Sequence, residues 1–495
     1  MKRLLAIMMA VIMLLGVCGC GSSSEDTTNT TAPVTTTTTT TTTTTEPPVP
    51  QPTVPALEAV GKEVSITLGD TVLSDYTLVY AADADAYTVR AVTYIRDEIY
   101  ARTGAVLNVV PDNAEIGSQH EIVVGETNRP ISKSLNADTD GVEFALLAQD
   151  GHVAMEAEYF VIAAAAYYFV ATYVTEQSAT LPTTAQVCSP IVEQPNNYIV
   201  LIGDGMGLNH TLLPSHLDGA ELVDYTDEER IFYGSLLPYS GFAHTNSLNN
   251  TTDSAASATA LATGYKTKNG YVGRDGDGND LFSITELAGE MGWSTAVMST
   301  EVQTGATIAG FTAHVNDRDE TDNILASQQA LQDKYGTIID GDHDVYTDYG
   351  VYQLTQSINA NLNELNKNEN GFFMMYEEAY IDKHSHEMDI EGATKAVYRF
   401  NQAIATFMEF AFYNPDTFIL ITADHETGAL SPDGDSFSFG RGSHTGRDVP
   451  VFAYGVGAEI FHDKNVENVQ IPKTIVKMWG KTLAADTDEQ YPPLN

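Results

Sequence analysis

Short runs rich in apolar residues, separated by segments with helical periodicity, recur from residue 196 to the end of the chain. The runs at 198–202, 371–376, 417–422 and 449–454 contain few polar residues, as expected of strands that are buried on both faces of a sheet. The segments between them include amphipathic helical patterns. This alternation predicts an α/β fold over residues 196–495, with an α/β/α sandwich around a mainly parallel sheet.

Residues 56–190 repeat this alternation on a smaller scale. Segment 84–101 has the apolar periodicity of a helix, and the short apolar runs at 106–110 and 121–124 are predicted strands. Segment 158–175 is an apolar helix that is too short to span a membrane, so we interpret it as a core helix. We therefore expect a smaller α/β accessory domain ahead of the larger one.

The first 55 residues have no pattern from which a packed core could form. Lys2 and Arg3 precede an apolar run that ends near Cys20, in a sequence that resembles a bacterial lipobox. Residues 1–20 are therefore a predicted lipoprotein signal peptide, and residues 21–55, rich in Thr and Pro, are a predicted disordered stalk. We expect an exported, cell-surface lipoprotein anchored to the membrane by a lipid on Cys20, with simple secretion as the alternative.

The chain is strongly acidic. It has 24 Lys and Arg residues against 67 Asp and Glu residues, a formal net charge of −43. A charge of this sign argues against binding to nucleic acids and against adsorption to anionic lipid. It also repels phosphate, so a phosphate site in this chain needs local positive charge from metal ions, an arginine or the start of a helix.

The chain has three cysteines. Cys18 and Cys20 lie in the predicted signal segment, so Cys188 has no partner within the remaining chain. We therefore predict no internal disulfide and a buried structural thiol at Cys188.

Carboxylate and imidazole side chains follow several of the predicted strands. Because the carboxyl ends of parallel strands lie at one edge of a sheet, these groups should converge there. Asp382 and His386 are four residues apart and share one face of a helix, where they could bind one zinc ion. The adjacent Asp424 and His425, directly after the run at 417–422, are a second candidate pair.

Thr252, Asp253 and Ser254 are predicted to form the first turn of a helix that continues with a run of small helix formers. The start of a helix offers free backbone N–H groups and the positive end of the helix dipole, both of which favour phosphate. A serine at this place could attack phosphorus. By itself the stretch is better explained as an ordinary capped and packed helix, because short motifs also match by chance.

Five segments together resemble the alkaline phosphatase family, and they occur in the order of that family between residues 198 and 480. The resemblance implies an alkaline-phosphatase-like sandwich and a metal-dependent hydrolase of small phosphomonoesters. The segments are Asp-Gly-Met-Gly at 204–207, Thr-Asp-Ser-Ala-Ala-Ser-Ala-Thr-Ala at 252–260, Ile-Asp-Lys-His-Ser-His at 381–386, Thr-Ala-Asp-His-Glu-Thr at 422–427 and His-Thr-Gly at 444–446.

The resemblance implies a role for each matching residue. Ser254 would be the nucleophile that forms a phosphoserine, and Arg318 would hold the phosphoryl oxygens. The reaction would release inorganic phosphate and an alcohol. The implied metal ligands are Asp382, His386 and His444 for the first of two zinc ions, Asp204, Asp424 and His425 for the second, and Asp204, Thr307 and Glu377 for one magnesium ion.

Two positions depart from the family pattern, and a third follows only some of its members. Gly305, two residues before Thr307, stands where related enzymes often carry Asp or His, so a group that would order water on the magnesium ion is missing. Glu378 stands where glycine is usual, which puts an extra carboxylate near the metals or forces it to turn outward. Lys383 matches some bacterial members and could reach the phosphate through water.

Little chain separates His425 from His444, and little follows His444. This leaves no room for long insertions over the site, so we predict an open site that accepts a broad range of phosphomonoesters. The sequence leaves the oligomeric state open, and a homodimer is compatible with it.

Two other functions fit part of the sequence. The same metal ligands could serve a phosphodiesterase or a related esterase, although Arg318 and a serine nucleophile favour monoesters. A surface binding lipoprotein with a vestigial catalytic domain would explain the stalk and the accessory domain. The complete ligand set argues against a binding role, because a binding module needs neither these ligands nor Ser254.

Overall fold

Two β-sheets, one formed before residue 190 and one after it, organise the chain. The computed structural model describes residues 47–57, 66–115, 119–175, 180–216, 231–434, 436–483 and 491–495. The predicted signal peptide, with Cys20, and most of the predicted stalk lie outside these described residues. Within the described part of the chain, no helix is both long enough and apolar enough to cross a membrane.

The smaller sheet has the strand order β4-β3-β5-β7-β6-β8, with β6 antiparallel to both neighbours and the other pairs parallel. The predicted helices at 84–101 and 158–175 correspond to α1 and α3, and the predicted strands at 106–110 and 121–124 to β4 and β5. The elements are β1 (Thr67–Leu68), β2 (Thr71–Val72), β3 (Tyr76–Tyr80), α1 (Ala86–Thr103), β4 (Asn108–Pro111), β5 (His120–Val124), α2 (Pro130–Ser134), β6 (Phe144–Gln149), β7 (His152–Glu156), α3 (Ile162–Tyr173) and β8 (Gln186–Cys188).

The larger sheet and its helices occupy the rest of the chain. Its elements are β9 (Asn197–Gly203), β10 (Tyr239–His244), α4 (Ser254–Thr263), α5 (Ile284–Glu290), β11 (Ser294–Ser299), α6 (Ala306–Gly310), α7 (Thr321–Tyr335), β12 (Ile338–Asp340), α8 (Asp348–Leu365), β13 (Phe372–Glu378), α9 (Tyr380–His386), α10 (Ile390–Tyr413), β14 (Thr417–Thr422), β15 (Glu426–Thr427), β16 (Ser431–Asp433), β17 (Ser436–Ser438), β18 (His444–Thr445), β19 (Val449–Tyr454), β20 (Asn465–Glu467) and α11 (Gln470–Met478).

The direction of the strands in the larger sheet decides where its loops meet. The order is β12-β11-β13-β9-β14-β19-β10-β20, and β19 alone runs against its neighbours, so the predicted mainly parallel sheet is confirmed. Strands β9, β13 and β14 are buried along their whole length, in agreement with their continuous apolar sequences. Their carboxyl ends and the amino end of β19 therefore lie at the same edge.

The two sheet regions pack against each other through α10. Phe160 lies between the rings of Tyr233 and Phe412, with centroid distances of 5.2 Å and 6.0 Å. Nearby, Arg90 of α1 forms an ion pair with Glu409 of α10, at 2.8 Å between Nε and Oε1. One hydrophobic cluster contains buried residues of both regions. The boundaries of the accessory domain at 56 and 190 stay a prediction.

Cys188, at the end of β8, is buried and forms no disulfide. Burial raises the pKa of its thiol, which keeps the sulfur protonated and unreactive. The prediction of a buried structural thiol is therefore confirmed.

The contact between the two regions can be tested at Phe160. Phe160→Ala should lower the free energy of unfolding by about 3–5 kcal/mol, because it leaves a cavity between the rings that Phe160 now contacts. The matched control is Phe282→Ala, since Phe282 is 39% exposed, and it should cost about 1 kcal/mol or less. Urea unfolding measures both. Equal losses in the two variants would contradict this account of the packing.

Candidate metal centre

Four chain segments bring ligand side chains to the carboxyl edge of the larger sheet. Asp204 directly follows β9, Glu377 lies near the end of β13, and Asp424 follows β14. His444 precedes the reversed strand β19, so it reaches the same edge from the opposite direction. The topology thus collects residues that are up to 240 positions apart in sequence.

The loop after β9 approaches helix α9 very closely. Gly205 has φ of +73°, and a Cβ at this position would lie 2.8 Å from Cα of Asp382. A residue with a side chain would be strained in this conformation and would push the helix away. Glycine therefore allows Asp204 and Asp382 to lie near one another.

Asp382, His386 and His444 form the first cluster, with ligand atoms within 4.8 Å of one another. The Nε2 atoms of the two histidines are 3.0 Å apart. Their Nδ1 atoms lie 3.0 Å and 2.9 Å from the carbonyl oxygens of Gly442 and Thr252. A carbonyl oxygen only accepts hydrogen bonds, so each Nδ1 carries a proton and each Nε2 points into the cluster, where its lone pair can bind a metal once the ring is neutral.

The ionisable groups of the first cluster shift one another's pKa values. A hydrogen bond with Asp382 raises the pKa of His386 to about 9. Burial opposes ionisation of Asp382, but its hydrogen bond with His386 and the positive charge of the nearby imidazoles hold its pKa well below the usual range. Burial, followed by repulsion from His425, lowers the pKa of His444. In the metal-free protein His386 therefore keeps its second proton to a higher pH than a free imidazole, and His444 loses its second proton more readily.

Asp204, Asp424 and His425 form the second cluster, which is buried completely. Nε2 of His425 lies 3.2 Å from Oδ2 of Asp424 and 3.5 Å from Oδ1 of Asp204. Neither of these two carboxylate oxygens accepts a hydrogen bond from the described residues. Burial lowers the pKa of His425 to about 4, so this imidazole is neutral and able to coordinate a metal.

The carboxylates around the second cluster resist ionisation. Burial is the main cause, and repulsion between the acids adds to it. Together they raise the pKa of Asp204 well above its usual value. Burial, with repulsion from Asp382, raises the pKa of Asp424 to about 6. Burial and the charge of Glu301 raise the pKa of Glu377 to about 8. A concentration of buried acids of this kind is stable in its ionised form only when cations balance it.

Ser254 is the first residue of α4, and its Oγ lies 3.2 Å from Nε2 of His425. The helix itself begins at Ser254, and Asp253 is its N-cap. Oδ1 of Asp253 accepts a hydrogen bond from the backbone N–H of Ala256. The expectation that Thr252 and Asp253 belong to the first helical turn is therefore wrong. The aspartate cap excludes them, because its extended backbone precedes the helix.

Asp253 also connects the start of this helix to Arg318. Its Oδ2 accepts a hydrogen bond from the N–H of Gly270 and lies 3.5 Å from Nη1 of Arg318. The side chain of Arg318 is partly exposed. The sequence did not predict this role of Asp253, although its place directly before Ser254 was a signal for it.

Thr427 joins the two clusters, and the sequence did not predict this role either. Its hydroxyl donates to Oδ1 of Asp382 and lies 3.2 Å from Nδ1 of His425. Because this hydroxyl donates to the carboxylate, it accepts from Nδ1 of His425, which directs the lone pair of Nε2 toward Ser254. A threonine two residues after a candidate ligand histidine was the available signal.

Glu378 turns away from the candidate metal ligands. Its carboxylate is fully buried and accepts from Nη2 of Arg399, on α10, at 2.9 Å. The structure therefore does not turn this extra acid outward to solvent, as one of the two alternatives required, but pairs it with a buried arginine. The buried pair ties the end of β13 to α10, and its desolvated charges need each other.

Thr307 and Glu377, the two remaining candidate magnesium ligands, are completely buried. Within the described residues, Oγ1 of Thr307 and Oε1 of Glu377 form no hydrogen bond of normal geometry, although the Thr307 hydroxyl lies close enough to Glu377 to oppose the rise of its pKa. The other oxygen of Glu377 accepts from the hydroxyl of Ser299 at 2.6 Å. Unpaired oxygens in a buried site are costly, and a cation bound by oxygen ligands would satisfy them.

The donor atoms in both clusters match the requirements of zinc. Zinc is bound by imidazole nitrogens and carboxylate oxygens, with an open position in catalytic sites. The first cluster offers two imidazoles and one carboxylate, and the second offers one imidazole and two carboxylates next to a serine hydroxyl. The residues around Thr307 offer only oxygen, as magnesium prefers. The side chains of the site therefore offer the ligand types that the zinc and magnesium ions implied by the family resemblance would need.

The sequence of the chain is similar to known alkaline phosphatases. The family model described as alkaline phosphatase matches residues 195–346 and 339–441. Alkaline phosphatase 3 of Bacillus subtilis (strain 168) is 27% identical over 337 residues, which cover 57% of this chain and 71% of that protein. Streptomycin-6-phosphate phosphatase of Streptomyces griseus is 46% identical over 68 residues, which cover 14% of this chain and 15% of that protein.

Solved structures give the same result. The alkaline phosphatase from the Antarctic bacterium TAB5 superposes with a TM-score of 0.51 at 26% identity, over 58% of this chain and 98% of that chain. A mutant of that enzyme with Mg bound in its M3 site superposes with a TM-score of 0.50 at 25% identity, over 59% of this chain and 99% of that chain. The family match begins at residue 195, after the smaller sheet.

The raised pKa values predict how the stability of the metal-free protein depends on pH. Glu377 and His386 have folded pKa values of about 8 and about 9, above their usual values. The stability they contribute is complete below the unfolded pKa and is lost as the pH rises through the folded pKa. Between about pH 6.5 and about pH 9 the Tm of the chelated protein should therefore fall, by roughly 5 °C.

Calorimetry with and without zinc and magnesium measures this effect. Metal binding requires ionised carboxylates and unprotonated imidazoles, so the Tm of the metal-loaded protein should stay level or rise over the same range. Glu377→Gln should flatten the curve of the chelated protein. If the chelated protein instead became more stable toward alkaline pH, the raised pKa values of Glu377 and His386 would be contradicted.

Proposed function

Since this chain belongs to the alkaline phosphatase family, we propose that its phosphomonoesterase activity proceeds through a phosphoserine on Ser254. The reaction converts a phosphomonoester and water into an alcohol and inorganic phosphate. The observation that carries the proposal is the position of Ser254, whose Oγ lies 3.2 Å from the candidate ligand His425 at the start of α4.

In this proposal each of the two clusters holds one zinc ion, and a third set of residues holds a magnesium ion. Asp382, His386 and His444 hold the first zinc ion, and Asp204, Asp424 and His425 hold the second. Thr307, Glu377 and Asp204 hold a magnesium ion. Bound zinc would lower the pKa of the attacking oxygen and balance the charge that develops on the leaving oxygen.

The residues of the chain position the phosphoryl group. The free N–H groups at the start of α4 and the guanidinium of Arg318 offer hydrogen bonds to its oxygens. The carboxylate of Asp253 accepts from the backbone of Gly270 and lies beside Arg318, so it fixes the direction of the guanidinium. Together these groups supply the local positive charge that a chain with a net charge of −43 lacks elsewhere.

The reaction has two displacements at phosphorus. In the first, Oγ of Ser254 loses its proton and bonds to phosphorus, while the ester oxygen leaves and takes up a proton to become the alcohol. In the second, a water oxygen bonds to phosphorus, and the bond from phosphorus to Oγ breaks. Ser254 regains its proton, and inorganic phosphate leaves.

The exposure of the site supports a broad range of substrates. The side chains of Arg318 and His386 are 38% and 40% exposed, so the site is open to solvent where a substrate would enter. A substrate therefore enters with only its phosphate enclosed, and its alcohol part stays in water. This supports small phosphomonoesters of varied structure as substrates.

The location of the enzyme follows from segments outside the described residues. We propose that the chain is exported and anchored by a lipid on Cys20, with residues 21–55 as a stalk that separates the enzyme from the membrane. Phosphate released outside the cell would be the consequence.

Ser254→Ala tests the proposed intermediate. The variant should keep its metal content and its fold, and its kcat for a simple aryl phosphate should fall by about a thousandfold or more, because the attacking oxygen is gone. Mass spectrometry of the acid-quenched wild-type protein should find a phosphoryl group on residue 254. Ser134→Ala, at an exposed serine in the smaller region, is the matched control and should leave both readouts unchanged.

Two results would contradict the proposal. One is a Ser254→Ala variant that turns over aryl phosphate at the wild-type rate. The other is a wild-type protein that binds zinc but hydrolyses diesters and leaves monoesters intact, which would favour the alternative esterase function.

A further inference from the structure

Position 305 has no side chain, and the carboxylate of another residue fills the space. A Cβ on Gly305 would lie 2.0 Å from Oε1 of Glu301 and 2.5 Å from its Cδ. No side chain at 305 could coexist with this position of Glu301. The backbone conformation is not the reason for glycine here, because φ of Gly305 is −55°, which any residue adopts.

Glu301 is held in this place by several contacts. Its carboxylate is only 14% exposed, and Oε2 accepts a hydrogen bond from Nζ of Lys383. Its backbone N–H donates to the hydroxyl of Ser299 at 3.1 Å, and that hydroxyl donates to Glu377 at 2.6 Å. Glu301 is thus connected on one side to Lys383 and on the other to a candidate magnesium ligand.

The charges around Glu301 are not balanced by the protein. The hydroxyl of Ser299 links Glu301 to the buried Glu377, and the buried Asp204 is a further acid of the same site. Lys383 supplies one positive charge against these three carboxylates. The unpaired, fully buried oxygens of Thr307 and Glu377 lie in the same region and need a partner. Both observations indicate a hard cation with oxygen ligands.

We propose that Glu301 is a ligand of the magnesium ion, directly or through a bound water, and that it takes the place of a side chain at position 305. Oε1, the atom nearest the Cβ position of residue 305, is the ligand atom, while Oε2 holds Lys383. The inference rests on the proposed function for the identity of the cation site, and it adds a residue that lies four positions before Gly305.

The arrangement gives Glu301 a second effect. Lys383 directly follows Asp382, a candidate ligand of the first zinc ion, and its Nζ is fixed by Glu301 while it lies over the ring of Tyr380 at 4.6 Å from the centroid. One carboxylate therefore connects the magnesium site with a lysine beside the zinc clusters. Removing it should change the binding of magnesium and leave the zinc ligands in place.

The test measures magnesium binding by the full chain, without substrate. Protein saturated with zinc is dialysed against a series of Mg²⁺ concentrations, and bound zinc and magnesium are counted by elemental mass spectrometry. Glu301→Gln should weaken Mg²⁺ binding by about tenfold or more, with zinc content unchanged. Glu364→Gln is the matched control, because Glu364 also pairs with a lysine, Lys367, but on the exposed surface. It should bind Mg²⁺ as the wild type does.

A carboxylate moved to position 305 provides the reciprocal test. Gly305→Asp alone should lower the Tm and weaken Mg²⁺ binding, because the new side chain collides with Glu301. The double variant Glu301→Ala with Gly305→Asp should bind Mg²⁺ more tightly than Glu301→Ala alone. Equal Mg²⁺ binding in these two variants would contradict the claim that Glu301 takes the place of a side chain at position 305.

Wild-type affinity in Glu301→Gln, or no Mg²⁺ binding by the wild type, would overturn the inference. Because no turnover is measured, a failure of this inference can be distinguished from a failure of the proposed function. A wild-type protein that binds Mg²⁺ through Glu301 but hydrolyses no phosphomonoester would contradict the proposed function and leave the role of Glu301 standing.

Discussion

Buried negative charge at one edge of the larger sheet is the constraint on which the site depends. Asp204, Asp424 and Glu377 are removed from water, and each has a raised pKa because burial and neighbouring acids oppose its ionisation. The protein offers few cationic groups there, and its overall charge is strongly negative. In the proposed function, metal cations balance these acids, and the same cations attract the phosphate that the rest of the surface repels.

The topology of the sheet explains why these acids can be gathered at all. Parallel strands end at one edge, and the single reversed strand β19 brings His444 to that edge from its amino end. Close contacts then set the spacing. Gly205 lets Asp204 approach Asp382, Asp253 fixes Arg318 beside the start of α4, and Thr427 joins the two clusters. The buried pair of Glu378 and Arg399 anchors the site to α10.

The sequence predicted the parts of the site that follow from local patterns. Apolar runs located strands β9, β13, β14 and β19, and the polar residues near them indicated two ligand pairs, Asp382 with His386 and Asp424 with His425. The family resemblance added Asp204 and His444, which complete the two clusters that the structure brings together. Contacts between distant residues were beyond this reasoning. Lys383 is 82 positions from Glu301, and Arg399 is 21 positions from Glu378, on a helix whose rotation the sequence does not determine. The absence of a side chain at Gly305 was visible, but its replacement by Glu301 was not.

Metal content measured together with turnover tests the central claim most directly. The protein is chelated, dialysed and then titrated with zinc in the presence of magnesium, and hydrolysis of an aryl phosphate at alkaline pH is followed at each step. Our account predicts that activity is lost on chelation and returns with a break at about two zinc ions per chain. Full turnover by protein that retains no metal would contradict it.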